Sequence, residues 1–219
     1  MVNYSFGIMG RTSDANERLM DAALDLMWEE SYGAVTIDDI CRRAEVKKGS
    51  FYYFFESKAH LAVAALERMW SQDWKPTLDA KFSSSVDPTT RMTEYLKGIY
   101  ERQIEVKQKY GKILGCPVCS VGSEISTQEV DVSAKIRELL ARKRRYYEST
   151  IRDAVSEGVM DPCDPSQKAL ALMGLIEGMV AQARIMNDPE VLKNLPTMGL
   201  EILHFKTAAA TVPAGAPGK

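Results

Sequence analysis

The sequence predicts an all-α fold in which a small N-terminal unit of three helices precedes a larger helical bundle. Apolar residues recur at spacings of three and four along most of the 219-residue chain, which is the period of amphipathic helices. Residues that favour helix starts precede several of these segments, and in Asp164-Pro165 proline follows the cap at the first helical position. The length is sufficient for two modest domains with a hydrophobic core.

The composition is that of an ordinary globular protein, with 45% hydrophobic and 26% charged residues. The net charge is −2, so the chain as a whole has no basic character that would indicate a nucleic-acid partner. In residues 1–58, seven basic residues stand against ten acidic ones, but most of the basic ones cluster between Arg42 and Lys58. Such a local cluster is what phosphate contacts require.

We find no secretory signal and no apolar run of the roughly 18 residues that span a bilayer, so we expect a cytoplasmic protein without a membrane partner. Its four cysteines are then expected to be free thiols. Residues 1–12 are expected to form a flexible arm, and the low-complexity residues 207–219 a disordered tail. Between them we expect the N-terminal unit at 13–58 and the body at 59–206.

The N-terminal unit is predicted to begin with a helix over residues 14–30. Asp14 and Glu17 form a capping pair at its start, and Gly33 is predicted to end it in a left-handed conformation. A second, short helix follows with Thr36 as its cap, in a T-x-x-D sequence that resembles a capping box.

A turn at 44–46 leads into a third helix that begins near Lys47 and carries five consecutive aromatic residues, 51–55. Phe51 and Phe55 share one face and are predicted to pack inward, whereas the tyrosines between them point elsewhere. A glycine in the first turn costs near 1 kcal/mol, and lysines there oppose the helix dipole. A bound phosphate would remove the second conflict, so this first turn is predicted to meet nucleic acid.

Residues 14–61 resemble the N-terminal domain of the tetracycline-repressor (TetR) family. The resemblance rests on the spaced combination of T-I-x-D-I at 36–40, K-G-S-F-Y at 48–52 and F-x-S-K at 55–58. It implies a homodimeric all-α transcriptional regulator that binds double-stranded DNA through a helix-turn-helix and responds to a small-molecule effector. It also implies DNA contacts at Thr36, Lys48, Gly49, Ser50, Tyr52, Tyr53, Phe54 and Lys58. The argument from the helix dipole adds Lys47.

Two positions depart from the family pattern. Glu45 stands where glycine is usual in the turn, at a cost of about 1–2 kcal/mol if the backbone there is left-handed. Lys47 stands where a serine or threonine cap is usual, which forfeits roughly 1 kcal/mol of helix stability. We therefore expect a looser third helix, not a different fold.

The body is predicted to contain helices at 58–70, 87–110, 123–130, 132–158, 165–187 and 192–205. Residues 73–76 and 111–121 are predicted to interrupt them, because both segments contain helix breakers. The basic run at 142–145 is predicted to be a solvated helix face and not a second nucleic-acid site, because acidic residues flank it.

A stripe of small residues indicates where another helix approaches closely. Its members are Ala171, Gly174, Gly178 and Ala181. Together with Leu200 and Leu203 of the last helix they form the dimer interface that the resemblance implies. A contact within one chain would also explain the stripe alone.

Cys116 and Cys119 form a C-x-x-C sequence for which several interpretations remain open. A zinc site needs two more ligands, and the other cysteines and histidines have no partnering spacing, so no metal site is expected. A thioredoxin-type centre needs a βαβ setting that a helical chain lacks. A thiol sensor at the start of a helix is one hypothesis, and a pair of small apolar core residues is the other.

The effector pocket is expected inside the body. Candidate wall residues are aromatic, aliphatic or methionine side chains at helical spacing, which also suit a plain core: Trp70, Trp74, Met92, Tyr95, Ile99, Tyr146, Tyr147, Met173 and Met179. No acid–base pair, nucleophile–base set or phosphate loop is visible, so we expect neither an enzyme nor a cofactor.

The sequence therefore predicts a ligand-responsive repressor that binds a near-palindromic operator as a dimer. One alternative is a regulator that senses oxidants or electrophiles through Cys116 and Cys119. Another is a helical ligand-binding or catalytic protein with a vestigial DNA-binding unit.

Overall fold

The computed structural model describes residues 11–125 and 127–206, so the predicted tail and nearly all of the predicted arm lie outside the described residues. The described residues form ten α-helices and no strand: α1 Arg11–Glu29, α2 Ile37–Arg43, α3 Lys48–Phe54, α4 Lys58–Met69, α5 Lys75–Lys81, α6 Pro88–Tyr110, α7 Pro117–Ile125, α8 Val130–Ser156, α9 Pro165–Met186 and α10 Leu195–Leu203. A π-helical turn joins α4 to α5, and a 3-10 turn precedes α10. The predicted all-α fold is confirmed.

The first helix begins earlier than predicted, at Arg11. Asp14 therefore lies inside α1 and does not cap it; its carboxylate pairs with Arg18 one turn further on, at 3.3 Å. The prediction for Gly33 is also wrong, because its backbone is not left-handed. A methyl group at Gly33 would lie 2.8 Å from Oε1 of Glu124 in α7. The close approach of the Glu124 side chain therefore explains why a glycine stands at this position.

The predicted break at 73–76 is absent, because the chain stays helical from α4 into α5. In a regular helix the Pro76 ring would clash with the carbonyl four residues earlier. The π-helical turn Trp70–Trp74 widens the helix just before Pro76. In this turn the Lys75 N–H donates to the Trp70 carbonyl, five residues back. Trp70, the first residue of this turn, is buried.

The body consists of α4–α10, and its core is continuous with that of the N-terminal unit, α1–α3. The predicted helices that correspond to α6, α8 and α9 are confirmed to within two residues. The irregular stretch is shorter than predicted, because α7 begins at Pro117 and not near residue 123. Gly111 and Gly115, both left-handed, mark the turns before it.

The basic run in α8 is not a solvated face throughout. Arg142 pairs with Glu67 of α4 at 2.9 Å and also with Glu138. Lys143 is buried, with Nζ 3.4 Å from a carboxylate oxygen of Glu177 in α9. The solvated-face prediction is therefore wrong for Lys143. Arg144 pairs with Glu148, so within the described residues only Arg145 of this run is exposed without an ion pair.

Helix α9 has apolar residues on both of its faces. The inner face, which includes Leu172 and Ile176, is buried against the body. The outer face exposes the predicted small stripe together with Leu170 and Ile185, which are 58% and 83% exposed. By length and composition α9 could cross a membrane, with a mean hydropathy of 1.4, but its buried inner face marks it as a helix of the folded body.

The last helix packs inside its own chain. Leu203 is fully buried there, so its placement in the predicted dimer interface is wrong; Leu200 is half-buried. A methyl group at Gly199 would overlap with Cδ1 of Leu96 in α6. The glycine is therefore what lets α10 approach α6.

Candidate DNA-binding surface and effector cavity

Helix α2 is started by the predicted capping box. Thr36 Oγ1 accepts the Asp39 N–H at 3.2 Å, and the Asp39 carboxylate accepts the Thr36 N–H at 3.1 Å. The hydrogen bonds that the Thr36 hydroxyl and the Thr36 N–H donate to the Asp39 carboxylate lower the pKa of Asp39 below its ordinary value. The Thr36 hydroxyl also donates to the same carboxylate, at 2.5 Å, so this side chain already has an intramolecular role at the edge of the surface.

The turn between α2 and α3 contains the strain that its sequence predicts. Glu45 is left-handed, with φ of 54°, a conformation that costs a non-glycine residue about 1–2 kcal/mol. Arg18 of α1 donates to the Ala44 carbonyl at 2.9 Å and so holds the turn against the first helix. Lys47 then occupies the cap position of α3 without a capping side-chain hydrogen bond among the described residues.

Helix α3 rests on two buried phenylalanines and turns its tyrosines to solvent. Phe51 is fully buried and Phe55 is nearly so. Tyr52 and Tyr53 are 53% and 76% exposed, which is unusual for aromatic residues in a folded chain. Phe54 is half-buried, and its ring contacts Tyr53 edge-on at 4.9 Å between centroids.

The first turn of α3 is open. Lys47, Lys48 and Gly49 are exposed, and Ser50 is half-buried. No described atom lies within 4 Å of where a Cβ on Gly49 would be, so neighbouring protein does not account for this glycine. Lys48 Nζ lies 2.8 Å from the Asp38 carboxylate, and that bond raises the pKa of Lys48.

Lys58 has a different position from the one its predicted role requires. Its ammonium donates to the carbonyls of Tyr32 and Val35, at 2.7 and 2.9 Å, and lies 4.3 Å from the centroid of the Tyr32 ring. Burial lowers the pKa of Lys58. The side chain therefore ties α4 to the loop between α1 and α2 instead of being presented to a phosphate.

A cavity of about 760 Å³ is lined by α1, by the π-helical turn and the α5 that follows it, and by α6 and α9. Three of the predicted wall residues line it: Trp74, Tyr95 and Ile99. The other six do not. Trp70, Met92 and Tyr147 belong to the buried core, and Tyr146, Met173 and Met179 are half-buried outside the cavity lining.

The cavity wall is more polar than the sequence predicted. Glu177 and the buried Lys143 line it together. Burial alone would lower the pKa of Lys143, but the negative potential of its neighbours, among them Glu177, outweighs burial and raises it. The Tyr95 and Tyr147 hydroxyls are 2.6 Å apart and form a buried hydrogen bond beside this pair.

Cys116 and Cys119 lie where the cavity meets the start of α7, and both are free thiols. Their sulfur atoms and a carboxylate oxygen of Glu177 lie within 4.8 Å of one another. A hydrogen bond from Cys119 lowers the pKa of the Cys116 thiol, while the same bond and burial raise that of Cys119. The sequence analysis considered only the other cysteines and histidines as partners of this pair, whereas the structure places the Glu177 carboxylate beside it.

Two contacts connect the cavity region to the N-terminal unit, and sequence reasoning missed both. The buried Trp28 indole of α1 donates to the Leu114 and Gly115 carbonyls, both at 3.2 Å. At the far end of α7, the Glu124 carboxylate accepts the N–H groups of Tyr32 and Gly33, at 2.9 and 2.7 Å. A single tryptophan and a surface glutamate carry no sequence signal of such pairing.

Comparison with known proteins identifies the fold. Residues 19–65 match the family profile described as bacterial regulatory proteins of the tetR family, and residues 93–197 match the tetracyclin repressor-like C-terminal domain. The chain belongs to the TetR family. It is a DNA-binding transcriptional regulator and not an enzyme.

Several TetR-family relatives match over nearly their whole length. The Escherichia coli transcriptional repressor NemR is 26% identical over 90% of this chain and 95% of its own. The Cereibacter sphaeroides regulator AcuR is 28% identical over 88% and 86%. The crystal structure of a regulatory protein TetR from Rhodobacter sphaeroides superposes with a TM-score of 0.75 at 27% identity, covering 88% of this chain and 99% of that one.

Proposed function

We propose that this regulator is a repressor that binds a near-palindromic operator in cytoplasmic DNA as a homodimer and is released by a small-molecule effector. The observation that carries the DNA-binding part is the position of α3. Its first turn and two tyrosines are exposed on a base of buried phenylalanine, as a helix that enters the major groove requires. Repression is supported by relatives that are named repressors.

The DNA contacts can be tested by titrating the protein against DNA that flanks its own coding region. Lys47→Ala should weaken binding and lower the slope of log affinity against log salt by about 1, the contribution of one phosphate contact. Tyr53→Ala should weaken binding and change the preferred sequence. Lys193→Ala is the matched control, because it removes an exposed lysine far from α3. Equal affinities for all three variants would refute the assignment.

The dimer is proposed to form through the outer face of α9. There the stripe residues Gly174 and Gly178 have no described atom within 4 Å of where a Cβ would lie, so they leave room for a helix of a second chain. Ile185→Glu should convert a dimer to a monomer in sedimentation, because it buries a charge in an apolar contact. Lys193→Glu, outside this face, should leave the dimer intact. A dimer that tolerates Ile185→Glu rules out this interface.

The cavity is proposed as the effector site. An effector changes DNA affinity only if it binds two conformations of the protein differently. The cavity wall includes Trp28 of α1, and the segment bonded to Trp28 leads into α7, which holds the loop before α2 through Glu124. A ligand that displaces this wall would therefore move the N-terminal unit relative to the body.

The effector site can be tested by screening for compounds that both raise the melting temperature and release DNA. Ile99→Trp, which fills the cavity, should remove both effects while operator binding persists. Met173→Leu, at a half-buried position of α9 outside the cavity, is the control and should respond as the wild type does. Compounds that still act on Ile99→Trp would place the effector elsewhere.

A second candidate input is chemical modification of Cys116 and Cys119. The observation in its favour is the pair of free thiols at the start of α7. The hydrogen bond from Cys119 lowers the pKa of the Cys116 thiol and so favours the thiolate, which is the reactive form. One solved relative, Escherichia coli NemR, is described as a reduced form. If oxidants or electrophiles release DNA from the wild type but not from the double serine variant, thiols carry the signal; an unchanged response excludes them.

A further inference from the structure

Glu177 gives the cysteine pair a third donor atom of a kind that metals bind. It comes from α9, whereas Cys116 and Cys119 lie at the start of α7. The two sulfur atoms and a Glu177 oxygen are mutually within 4.8 Å. We propose that these three side chains bind a thiophilic divalent cation of the zinc or cadmium class. The proposal goes beyond the function proposed above and does not depend on it.

The spacing suits a tetrahedral ion. Sulfur ligands lie about 2.3 Å from zinc and carboxylate oxygens about 2.0–2.2 Å. At the tetrahedral angle two such sulfurs are separated by about 3.8 Å, so small side-chain rotations bring atoms that already lie within 4.8 Å into position. Cys116 and Glu177 also line the cavity. The fourth position therefore faces an open space from which an ion and a water molecule can enter.

The charges balance when a divalent ion is bound. Two thiolates and the Glu177 carboxylate carry three negative charges, and the ion with the ammonium of Lys143 carries three positive ones. Lys143 lies 3.4 Å from one Glu177 oxygen, so the carboxylate can bind the ion through its other oxygen. Ligating carboxylates are commonly held in this way by a second partner.

The backbone around the pair is already fixed. The buried Gln103 side chain accepts the Gly115 N–H at 3.2 Å, and Gly115 is left-handed just before Cys116. On the next turn, Arg184 of α9 donates to the Ser120 hydroxyl at 2.6 Å. The first contact fixes the turn before α7 to α6, and the second ties α7 to α9. A site whose ligands are held in advance loses less conformational freedom when it binds an ion.

Glu177 also separates this proposal from the two other interpretations of the pair. If the cysteines only fill a core, or only close a disulfide, the Glu177 carboxylate serves Lys143 alone and takes no part in binding. A bound ion requires the carboxylate, because two thiolates alone supply only part of a four-coordinate site. The dependence on Glu177 is therefore the decisive measurement.

The test is a cadmium titration of the reduced full-length protein. Binding is monitored by the ultraviolet absorption of the thiolate-to-cadmium charge transfer. The wild type should bind one ion per chain. Cys116→Ser and Cys119→Ser should lose most of the absorption. Glu177→Gln should weaken cadmium binding at least about tenfold, because removing a group that only supports a metal ligand already lowers metal affinity by about that factor. Cys163→Ser, which removes a free thiol elsewhere, is the matched control and should bind as the wild type does.

Circular dichroism identifies any variant that does not fold, and Glu177→Asp then replaces Glu177→Gln as the test of the carboxylate. The proposal is overturned if the reduced wild type binds no cadmium, or if binding is unchanged by the Glu177 variants. It is also overturned if peroxide joins Cys116 to Cys119 in a protein that takes up no cadmium when reduced. Loss of binding in Cys163→Ser alone would place the ion elsewhere.

Discussion

Replacing Glu124 by alanine should free the loop between α1 and α2 from α7 while leaving both parts folded. The carboxylate accepts two backbone N–H groups, at 2.9 and 2.7 Å. Each hydrogen bond of a protein contributes about 0.5–1.5 kcal/mol net. Because Glu124 is exposed, we take the lower part of that range and expect a combined loss of about 1.4 kcal/mol, which corresponds to a tenfold change in a local equilibrium.

Native-state hydrogen exchange measures this loss directly, because it reports local opening free energies. In Glu124→Ala the amides of Tyr32 and Gly33 should exchange about tenfold faster, and amides in the core of α8 should keep their rates. Ser123→Ala, on the same exposed turn of α7, is the control. Gly33→Ala should reproduce the effect, because its methyl group would lie 2.8 Å from the carboxylate oxygen.

Wild-type exchange rates at both amides in Glu124→Ala would show that the contact contributes nothing. The proposed connection from the cavity through α7 to the DNA-binding unit would then be wrong. A uniform rise in exchange across the whole chain would mean that the substitution lowers global stability, and the contact would not be the local coupling that we infer.

Gly199→Ala should lower the free energy of unfolding by about 1–3 kcal/mol, because its methyl group overpacks the contact with α6. Gly174→Ala, tested in a monomeric background, should raise the free energy of unfolding by about 0.5–1 kcal/mol, because alanine is the better helix former and meets no described atom there. Trp28→Phe should cost about 1–3 kcal/mol in urea unfolding, because two buried carbonyls lose their indole donor. Burial raises the pKa of Glu67, but hydrogen bonds from Arg142 and Lys135 outweigh it and hold the pKa below the ordinary 4.5. The stabilisation is therefore present above pH 4.5 and is lost as the pH falls through the lower folded-state pKa, so Glu67→Gln should flatten the acid limb of stability against pH.

Local sequence patterns predicted the N-terminal unit well, because its decisive contacts join residues close in the chain. The Thr36 capping box spans four residues, and Phe51 and Phe55 share a face because of helical periodicity alone. The left-handed backbone at Glu45 was expected only through the family resemblance, in which glycine is usual at this position. The start of the first helix was predicted wrongly, because an aspartate inside a helix cannot be told by sequence alone from one that caps the helix start.

The cavity and the cysteine cluster depend on contacts between distant segments, which no local pattern reports. Glu177 lies beside Cys116 although the two belong to different helical segments, and the buried Lys143 pairs with the same carboxylate. Lysine in a basic run ordinarily lies at the surface, so burial of this one was not predictable. Lys58 was assigned to DNA by its place in a motif, and the carbonyls that bind it come from a loop whose path only the structure shows.

The π-helical turn makes one residue of the chain necessary for reasons that its own side chain does not reveal. Such a turn absorbs one residue more than a regular helix, so the residues after it keep their directions. Deleting Ser71, which is exposed, would restore ordinary winding and leave Trp74 and Leu78, which line the cavity, facing nearly as they do now. The same deletion would return the Pro76 ring to a clash with the carbonyl four residues before it. The added residue and the proline are therefore coupled, and a chain that loses one should tolerate the loss only if it also loses the other.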